Sequence, residues 1–291
     1  MSIKTTFTPF TLTCRGTLRH FARPAIMGIL NVTPDSFFDG GRYQTERQIL
    51  DRVASMLAEG ADIIDIGTVS SRPGAQLLPP DEEARRLAPL VAMVRKAHPE
   101  ALISVDTCFS LPAEKAIEAG ADIINDISGG MFDREMLPTA ARLKVPYILM
   151  HNVGTPDHMQ DAPHYDNILD EVSLYFSQRL ETLYKLGATD VLIDPGFGFG
   201  KTVDHNYRLF AALDRLRVLF PREPLLVALS RKSMIFRLLG TSPQEALNGT
   251  TVLHSLALAQ GAQLLRVHDV REAAEAVAIV GKAQAEADEL D

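Results

Sequence analysis

Eight short apolar runs, each followed by a polar or helical stretch, limit this chain more than any other feature. They are Ile26–Asn31, Asp62–Gly67, Leu102–Asp106, Ile123–Ile127, Tyr147–His151, Val191–Asp194, Leu225–Leu229 and Leu264–Val267. Their apolar residues run on without strict alternation, the pattern of strands buried on both faces and therefore parallel. The stretches between them read as helices. Thr45–Glu59 opens on Thr45 as an N-cap and stops at Gly60. Asp81–His98 starts acidic and ends in Arg95, Lys96 and His98, as the helix dipole favours. Pro112–Ala119 stops at Gly120, and Asn167–Leu186 stops at Gly187. Residues 204–219, 243–260 and 271–288 complete the set, and Leu174, Leu180 and Leu183 suit 167–186 to wall packing or, as the alternative, to a subunit contact. Eight such units predict an α/β fold, a (β/α)8 TIM barrel, rather than an open doubly wound sheet. Residues 3–21 alternate loosely about Arg15-Gly16 and predict a short N-terminal β-hairpin. The expectation is a single domain over 1–291, with the hairpin in 1–21 and the barrel in 25–291. The polar, proline-containing segment from Asn152 to Tyr165 is expected to loop over one mouth.

Composition removes several classes of function. The 291 residues are 46% hydrophobic and 23% charged, which suits an ordinary globular protein. A net charge of −8 argues against nucleic acid as a partner. Two cysteines, Cys14 and Cys108, give no disulfide framework and point to a reducing compartment. The N-terminus is too polar for a secretory signal, and no apolar run reaches the roughly 18 residues of a membrane span. A cytoplasmic protein is expected.

In such barrels chemistry collects where strands end. The runs here end on Asn31, Asp65 and Gly67, Asp106, Asn125 and Asp126, His151, Asp194, Ser230-Arg231-Lys232, and Arg266 with His268. Asp106, Asn125 and Asp194 offer acceptors and one amide, suited to a flat heterocycle rich in N–H donors. Lys232, Arg266, His268 and Arg72 form the opposite set, cationic donors suited to phosphate. Ile193–Thr202 reads I-D-P-G-F-G-F-G-K-T. It is not a P-loop, because Pro195 stands five places before Gly200 where that pattern needs glycine. Nor is it a dinucleotide fingerprint, because Lys201 occupies the third glycine position. The glycines instead let the backbone pass beside a ring, and Lys201 is expected to be a solvated lysine at a helix start. Asn31 heads the loop N-V-T-P-D-S-F-F-D-G-G (31–41) and could give Mg2+ one oxygen while a diphosphate and waters give the rest. His151, His158 and His164 lack ligand spacing for zinc. Cys108 reads as a small buried residue rather than a nucleophile.

Six segments together resemble dihydropteroate synthase, the folate-pathway enzyme family inhibited by sulfonamides and a member of the pterin-binding barrels. They are M-G-I-L-N-V-T-P-D-S-F (27–37), S-R-P-G-A (71–75), A-G-A-D-I-I-N-D-I-S-G (119–129), D-P-G-F-G-F-G-K (194–201), S-R-K-S (230–233) and R-V-H-D (266–269). The resemblance implies condensation of 6-hydroxymethyl-7,8-dihydropterin diphosphate with p-aminobenzoate, releasing diphosphate. It implies that Asp106, Asn125, Asp194 and Lys232 hold the pterin, and that Arg72, Arg266 and His268 hold the diphosphate. It also implies that Asn31 binds Mg2+, and that Phe37, Ser71, Pro73, Phe199 and Ser233 border the p-aminobenzoate, with Phe199 beside the pterin as well. A homodimer and a leaving-group-first reaction follow from the same likeness. Three places depart from the usual pattern: Thr68-Val69-Ser70-Ser71 where Gly-Glu-Ser-Thr is common, Cys108-Phe109, and Phe236 where glycine is common. Two alternatives are a methyltetrahydrofolate:corrinoid methyltransferase, which would not use the diphosphate groups, and a non-catalytic pterin-binding paralogue.

Overall fold

The computed structural model describes residues 7–32, 46–68, 77–154 and 163–288. After the hairpin strands β1 (Phe10–Cys14) and β2 (Thr17–Phe21) come eight barrel strands. These are β3 (Ala25–Asn31), β4 (Ile63–Gly67), β5 (Leu102–Asp106), β6 (Ile123–Asp126), β7 (Tyr147–Met150), β8 (Val191–Asp194), β9 (Leu226–Val227) and β10 (Leu264–Val267). All eight pair in parallel, in the order β8-β7-β6-β5-β4-β3-β10-β9. The remaining gap closes between β8 and β9: Ile193 bridges Leu225 in parallel, and the Ile193 amide donates to the Pro224 carbonyl at 3.0 Å. The expected barrel is therefore the observed one, with β9 reduced to a two-residue strand.

Ten α-helices lie among the described residues. They are α1 (Glu46–Glu59), α2 (Pro80–Ala97), α3 (Ser110–Glu118), α4 (Met136–Leu143), α5 (Ile168–Lys185), α6 (Val203–Phe210), α7 (Leu213–Leu219), α8 (Ser233–Leu239), α9 (Leu247–Ala259) and α10 (Val270–Asp288). Asn167 caps α5, its Oδ1 accepting from the Leu169 and Asp170 amides at 3.2 and 3.4 Å. The expected cap Thr45 lies outside the described residues. Two expectations needed correction. The helix over 204–219 is broken at Ala211–Ala212 into α6 and α7, and 243–260 begins as a 3-10 turn before α9. The short helices α4 and α8 were not anticipated, since seven or eight residues give too little periodicity to read. Along α5, Leu180 and Leu183 are buried as expected, whereas Leu174 faces solvent.

Strand pleating sorts the core into two compartments. One face of the sheet, with Ile64, Ile66, Ile103, Val105 and Ile124, packs against the helices. The other lines the lumen with Ala25, Met27, Ile63, Leu102, Ile123, Ile148, Leu192, Leu226 and Leu264. The hairpin stops the lower end of that lumen. Phe10, Leu12, Cys14 and Phe21 join the lumen cluster, and the Phe10 and Phe21 rings stack with centroids 4.6 Å apart. Its turn places Arg15 and Gly16 both at positive φ (47° and 73°), the arrangement that suits a two-residue hairpin loop. Arg15 Nε then reaches the buried Asp122 at 2.8 Å, and the Thr13 amide reaches Asp190 at 3.0 Å. The hairpin thus covers the lower end, and the polar strand ends stand at the upper mouth.

Candidate active site

The same two-residue repeat that lines the lumen builds the site. Moving two residues up β4 from Ile63 gives Asp65, then Gly67. On β5 the series is Leu102, Ser104, Asp106; on β6, Ile123 then Asn125; on β8, Leu192 then Asp194; on β10, Leu264 then Arg266. The lumen is thus apolar below and charged above. Register sets four of the strand-end positions side by side: Asp106 pairs with Asn125 and with Gly67, and Gly67 pairs with Asn31. Parity also removes Asp126. Its Oδ1 accepts from the Ser128 amide, and its Oδ2 from the Gly130 amide and the buried Tyr147 hydroxyl, at 2.6–2.7 Å. It is a loop-fastening carboxylate on the helix-facing side.

Arg266 organises one half of this charged end. Its Nε donates to Asp65 Oδ2 at 2.6 Å and its Nη2 to Asp106 Oδ2 at 2.5 Å. Asn125 Nδ2 donates to the same Asp65 oxygen at 3.1 Å. Burial opposes the Arg266 charge, but Asp65 and Asp106 outweigh it and hold its pKa above the ordinary range. Burial pushes Asp106 up to about 7, against the pull of Arg266. Asp65, absent from the expected ligand set, is therefore the hub that fixes Arg266 and Asn125. Its position two residues above lumen-facing Ile63 was the available signal.

The other half centres on Asp194 and Lys232. Asp194 Oδ1 accepts from the Gly196 amide at 2.8 Å, and burial raises its pKa against the nearby Lys232. Lys232 Nζ donates to the Phe197 carbonyl at 2.6 Å and sits 4.7 Å above the centre of the Phe199 ring. Burial brings it down to about 8. Phe199 closes a small apolar shelf with Cys108, Ile127 and Met150. Cys108 is buried and its thiol is pushed well up by desolvation, in keeping with a packing role. Lys201 is the clearest correction: it is 3% exposed, not solvated. Its Nζ reaches His151 Nδ1 and the carbonyls of Gly196 and Phe199. Sequence spacing could not reveal this, because the lysine folds back onto its own loop.

S-R-K-S and R-V-H-D meet at the rim. Arg231, at φ 54°, makes a two-pronged pair with Asp269, Nε to Oδ2 at 2.8 Å and Nη2 to Oδ1 at 2.9 Å. That clamp sets Lys232 on one side and His268 on the other. His268 is exposed, and its Nδ1 lies 3.1 Å from Ser230 Oγ. Ser233, half-buried, opens α8 directly after Lys232, and Phe236 packs against the outer core. His164 is exposed beside Asp166. Phe37, Val69, Ser71, Arg72, Pro73 and His158 lie outside the described residues.

The donor set limits what cation the site could hold. No group of three or more His, Cys, Asp or Glu suited to a metal occurs among the described residues. Asn31 is exposed at the end of β3, its Oδ1 3.1 Å from where a Cβ on Gly67 would stand, and Asp106 flanks the same glycine. One neutral oxygen at an open rim fits Mg2+ that takes its other ligands from a phosphate substrate and water, not an all-protein cage.

Comparison with known proteins agrees with this geometry. Residues 27–268 match the family model described as "Pterin binding enzyme". A dihydropteroate synthase of Streptococcus pyogenes is 43% identical over 262 residues, 89% of this chain and 95% of that protein. The Yersinia pestis dihydropteroate synthase, solved in complex with a sulfonamide drug, superposes with a TM-score of 0.88 at 41% identity, covering 95% of this chain and 100% of that one. The Xanthomonas albilineans dihydropteroate synthase with 4-aminobenzoic acid superposes at 0.87 and 40% identity, over 96% of this chain and 99% of that one. With the family model matched over most of its length and relatives more than 40% identical along nearly the whole of both chains, the chain belongs to the pterin binding enzymes and, among them, to the dihydropteroate synthases.

Proposed function

We propose that this protein condenses 6-hydroxymethyl-7,8-dihydropterin diphosphate with p-aminobenzoate to give 7,8-dihydropteroate. The observation that carries the reading is the gathering of Asp106, Asn125, Asp194 and Lys232 above the apolar lumen. A pterin edge-on among them presents ring N–H donors to Asp106 and Asp194. Lys232 and the Asn125 amide meet its ring acceptors. The stacked Phe199, Met150 and Ile127 shelf supports the flat face. The diphosphate then lies toward Arg266, His268 and Arg72, where cationic donors stabilise charge as the leaving group departs. Positive charge that develops on the pterin methylene faces Asp106 and Asp194. An arylamine is already a neutral nucleophile, so attack needs no strong base. Phe37, Ser71, Pro73, Phe199 and Ser233 would border the p-aminobenzoate. Mg2+ held by Asn31 and the diphosphate would supply further neutralisation of phosphate charge.

Two broader expectations belong to the same reading. A homodimer is supported by exposed apolar residues on three neighbouring helices: Leu238 and Leu239 on α8, Val252 and Leu256 on α9, and Ile279 on α10. A cytoplasmic location is supported by two free buried cysteines, and no helix among the described residues is long and apolar enough to cross a membrane. The deciding experiment incubates the protein with the pterin diphosphate, p-aminobenzoate and Mg2+ and looks for dihydropteroate by mass spectrometry. Tight pterin binding without product would sink the synthase reading.

A further inference from the structure

Lys201 lies beneath the site rather than in it, yet three acceptors converge on its ammonium. Nζ stands 2.9 Å from His151 Nδ1, 2.9 Å from the Gly196 carbonyl and 3.0 Å from the Phe199 carbonyl. An ammonium has three N–H donors, and here each has one acceptor. The side chain is almost wholly buried, so this arrangement carries a desolvation cost that a surface lysine would not. What it holds together is specific. The Gly196 carbonyl also accepts from the Phe199 amide at 3.1 Å, closing a four-residue turn. That turn supplies the carbonyl of Phe197 and the ring of Phe199 to Lys232, and the amide of Gly196 to Asp194. His151 adds a tie to the neighbouring strand, since its own amide donates to the Asp194 carbonyl at 2.9 Å.

We propose that Lys201 is a positioning residue for the pterin pocket: by stapling the 196–199 turn to the end of β7, it aims Lys232 and Asp194 at one ligand edge. It acts through these two groups and touches no substrate. A hydrophobic residue of similar length would fill the space but leave the Phe199 carbonyl and the His151 nitrogen without that donor, and the Gly196 carbonyl with the Phe199 amide alone. The turn would then relax toward water, and Lys232 would lose its fixed acceptor. The inference rests on the reading of this pocket as the pterin site, so its test uses ligand binding and not turnover alone.

The experiment compares full-length wild type, Lys201→Met and Lys201→Arg by calorimetric titration with 6-hydroxymethylpterin. Steady-state kinetics for p-aminobenzoate follow at saturating pterin diphosphate. Lys201→Met keeps the aliphatic stem, and its pterin Kd is expected to rise about tenfold or more. Its KM for p-aminobenzoate is expected to move less than the pterin Kd, because only Phe199 of the residues bordering that substrate lies in the turn, a split that a general loss of stability would not produce. Lys201→Arg keeps a charged donor and is expected to recover most of the lost affinity. If Lys201→Met does not fold, His151→Phe removes one acceptor within a pocket already lined by Tyr165, Tyr175 and Phe176. Its Kd is expected to rise about threefold. A folded Lys201→Met with wild-type pterin affinity overturns the proposal, as does an unchanged His151→Phe where Lys201→Met cannot be made. A wild-type protein that binds no pterin would instead overturn the functional reading itself.

Discussion

Arg266 Nε stands 2.6 Å from Asp65 Oδ2, in a part of the barrel where Asp65 has no solvent exposure. A buried carboxylate of this kind is tolerated because the guanidinium and the Asn125 amide both turn toward it. Asp65→Asn removes the charge while keeping the shape. Arg266 would keep only Asp106 as a charged partner, and Asn125 would face an amide that can turn either way. Breaking a buried pair from one side typically costs about 3–5 kcal/mol, and the surviving Asp106 contact places the expected loss near the lower figure. Urea unfolding checks it. A variant that unfolds at the wild-type midpoint would remove Asp65 as the hub.

Pterin binding should have a bell-shaped pH dependence. Asp106 is held up to about 7 by burial, and Lys232 is held down to about 8 by burial. As pH rises through the first value, Asp106 becomes a carboxylate and accepts a stronger bond from a ring N–H. As pH rises through the second, Lys232 loses the proton it donates. Affinity therefore climbs through about 7 and falls through about 8. Asp106→Asn should lower peak affinity by roughly 1.5–3 kcal/mol, the worth of a charge-assisted bond, and flatten the acid limb alone. Calorimetric titrations from pH 5.5 to 9.5 or so would resolve both limbs. An acid limb that survives the substitution would assign that titration elsewhere.

Much of this was legible before the structure, and the illegible part has physical causes. The eight apolar runs gave the barrel, because strands buried on both faces leave a pattern that loops cannot mimic. Strand-end chemistry points to Asp106, Asn125, Asp194, Lys232 and Arg266, whose side chains the fold brings into one charged cluster. The sequence reading takes Asn125 and leaves out its neighbour Asp126, and the pleat supplies the physical reason, since the two side chains take opposite faces of β6. Asp65 was visible at a strand end but was passed over, because its partner Arg266 lies 201 residues away. Arg266 was read as a diphosphate ligand, and its embrace of two carboxylates means that Arg266→Ala should weaken bare pterin binding too. Lys201 was misread for the reverse reason. Two of its three partners are near in sequence, but only the left-handed turns at Gly196, Gly198 and Gly200 fold the chain back onto its ammonium, and the third, His151, lies 50 residues away.

The Arg231–Asp269 clamp makes a separate prediction. It joins the segments carrying Lys232 and His268, and Arg231 also donates to the Pro243 and Gln244 carbonyls at 3.1 and 2.8 Å. Asp269→Asn leaves those carbonyl bonds and removes the charged pair. Because both side chains are only partly buried, the stability loss should be modest, about 1.5 kcal/mol. Binding should suffer more, since Lys232 and His268 would no longer be held at a fixed spacing. Weakened affinity for pterin diphosphate, with a small shift in the urea midpoint, is the expected pair of results. A large midpoint shift with normal affinity would make the clamp purely structural.

Glycine substitutions separate backbone strain from close approach. Gly187 and Gly196 both adopt positive φ, 92° and 69°. A Cβ on Gly187 would meet nothing within 4 Å, so Gly187→Ala should cost only the strain of a left-handed alanine, about 1–2 kcal/mol. A Cβ on Gly196 would stand 1.9 Å from the His151 carbonyl oxygen. That oxygen belongs to the backbone and cannot swing aside. Relief requires the 196–199 turn to move away from β7, which would drag the Gly196 amide from Asp194 and the Phe197 carbonyl from Lys232. Gly196→Ala should therefore cost more than Gly187→Ala by at least about 2 kcal/mol in urea unfolding. Any protein that does fold should bind pterin poorly, while Gly187→Ala should bind it normally. Equal effects at the two positions would mean that the turn and β7 can separate without disturbing the pocket.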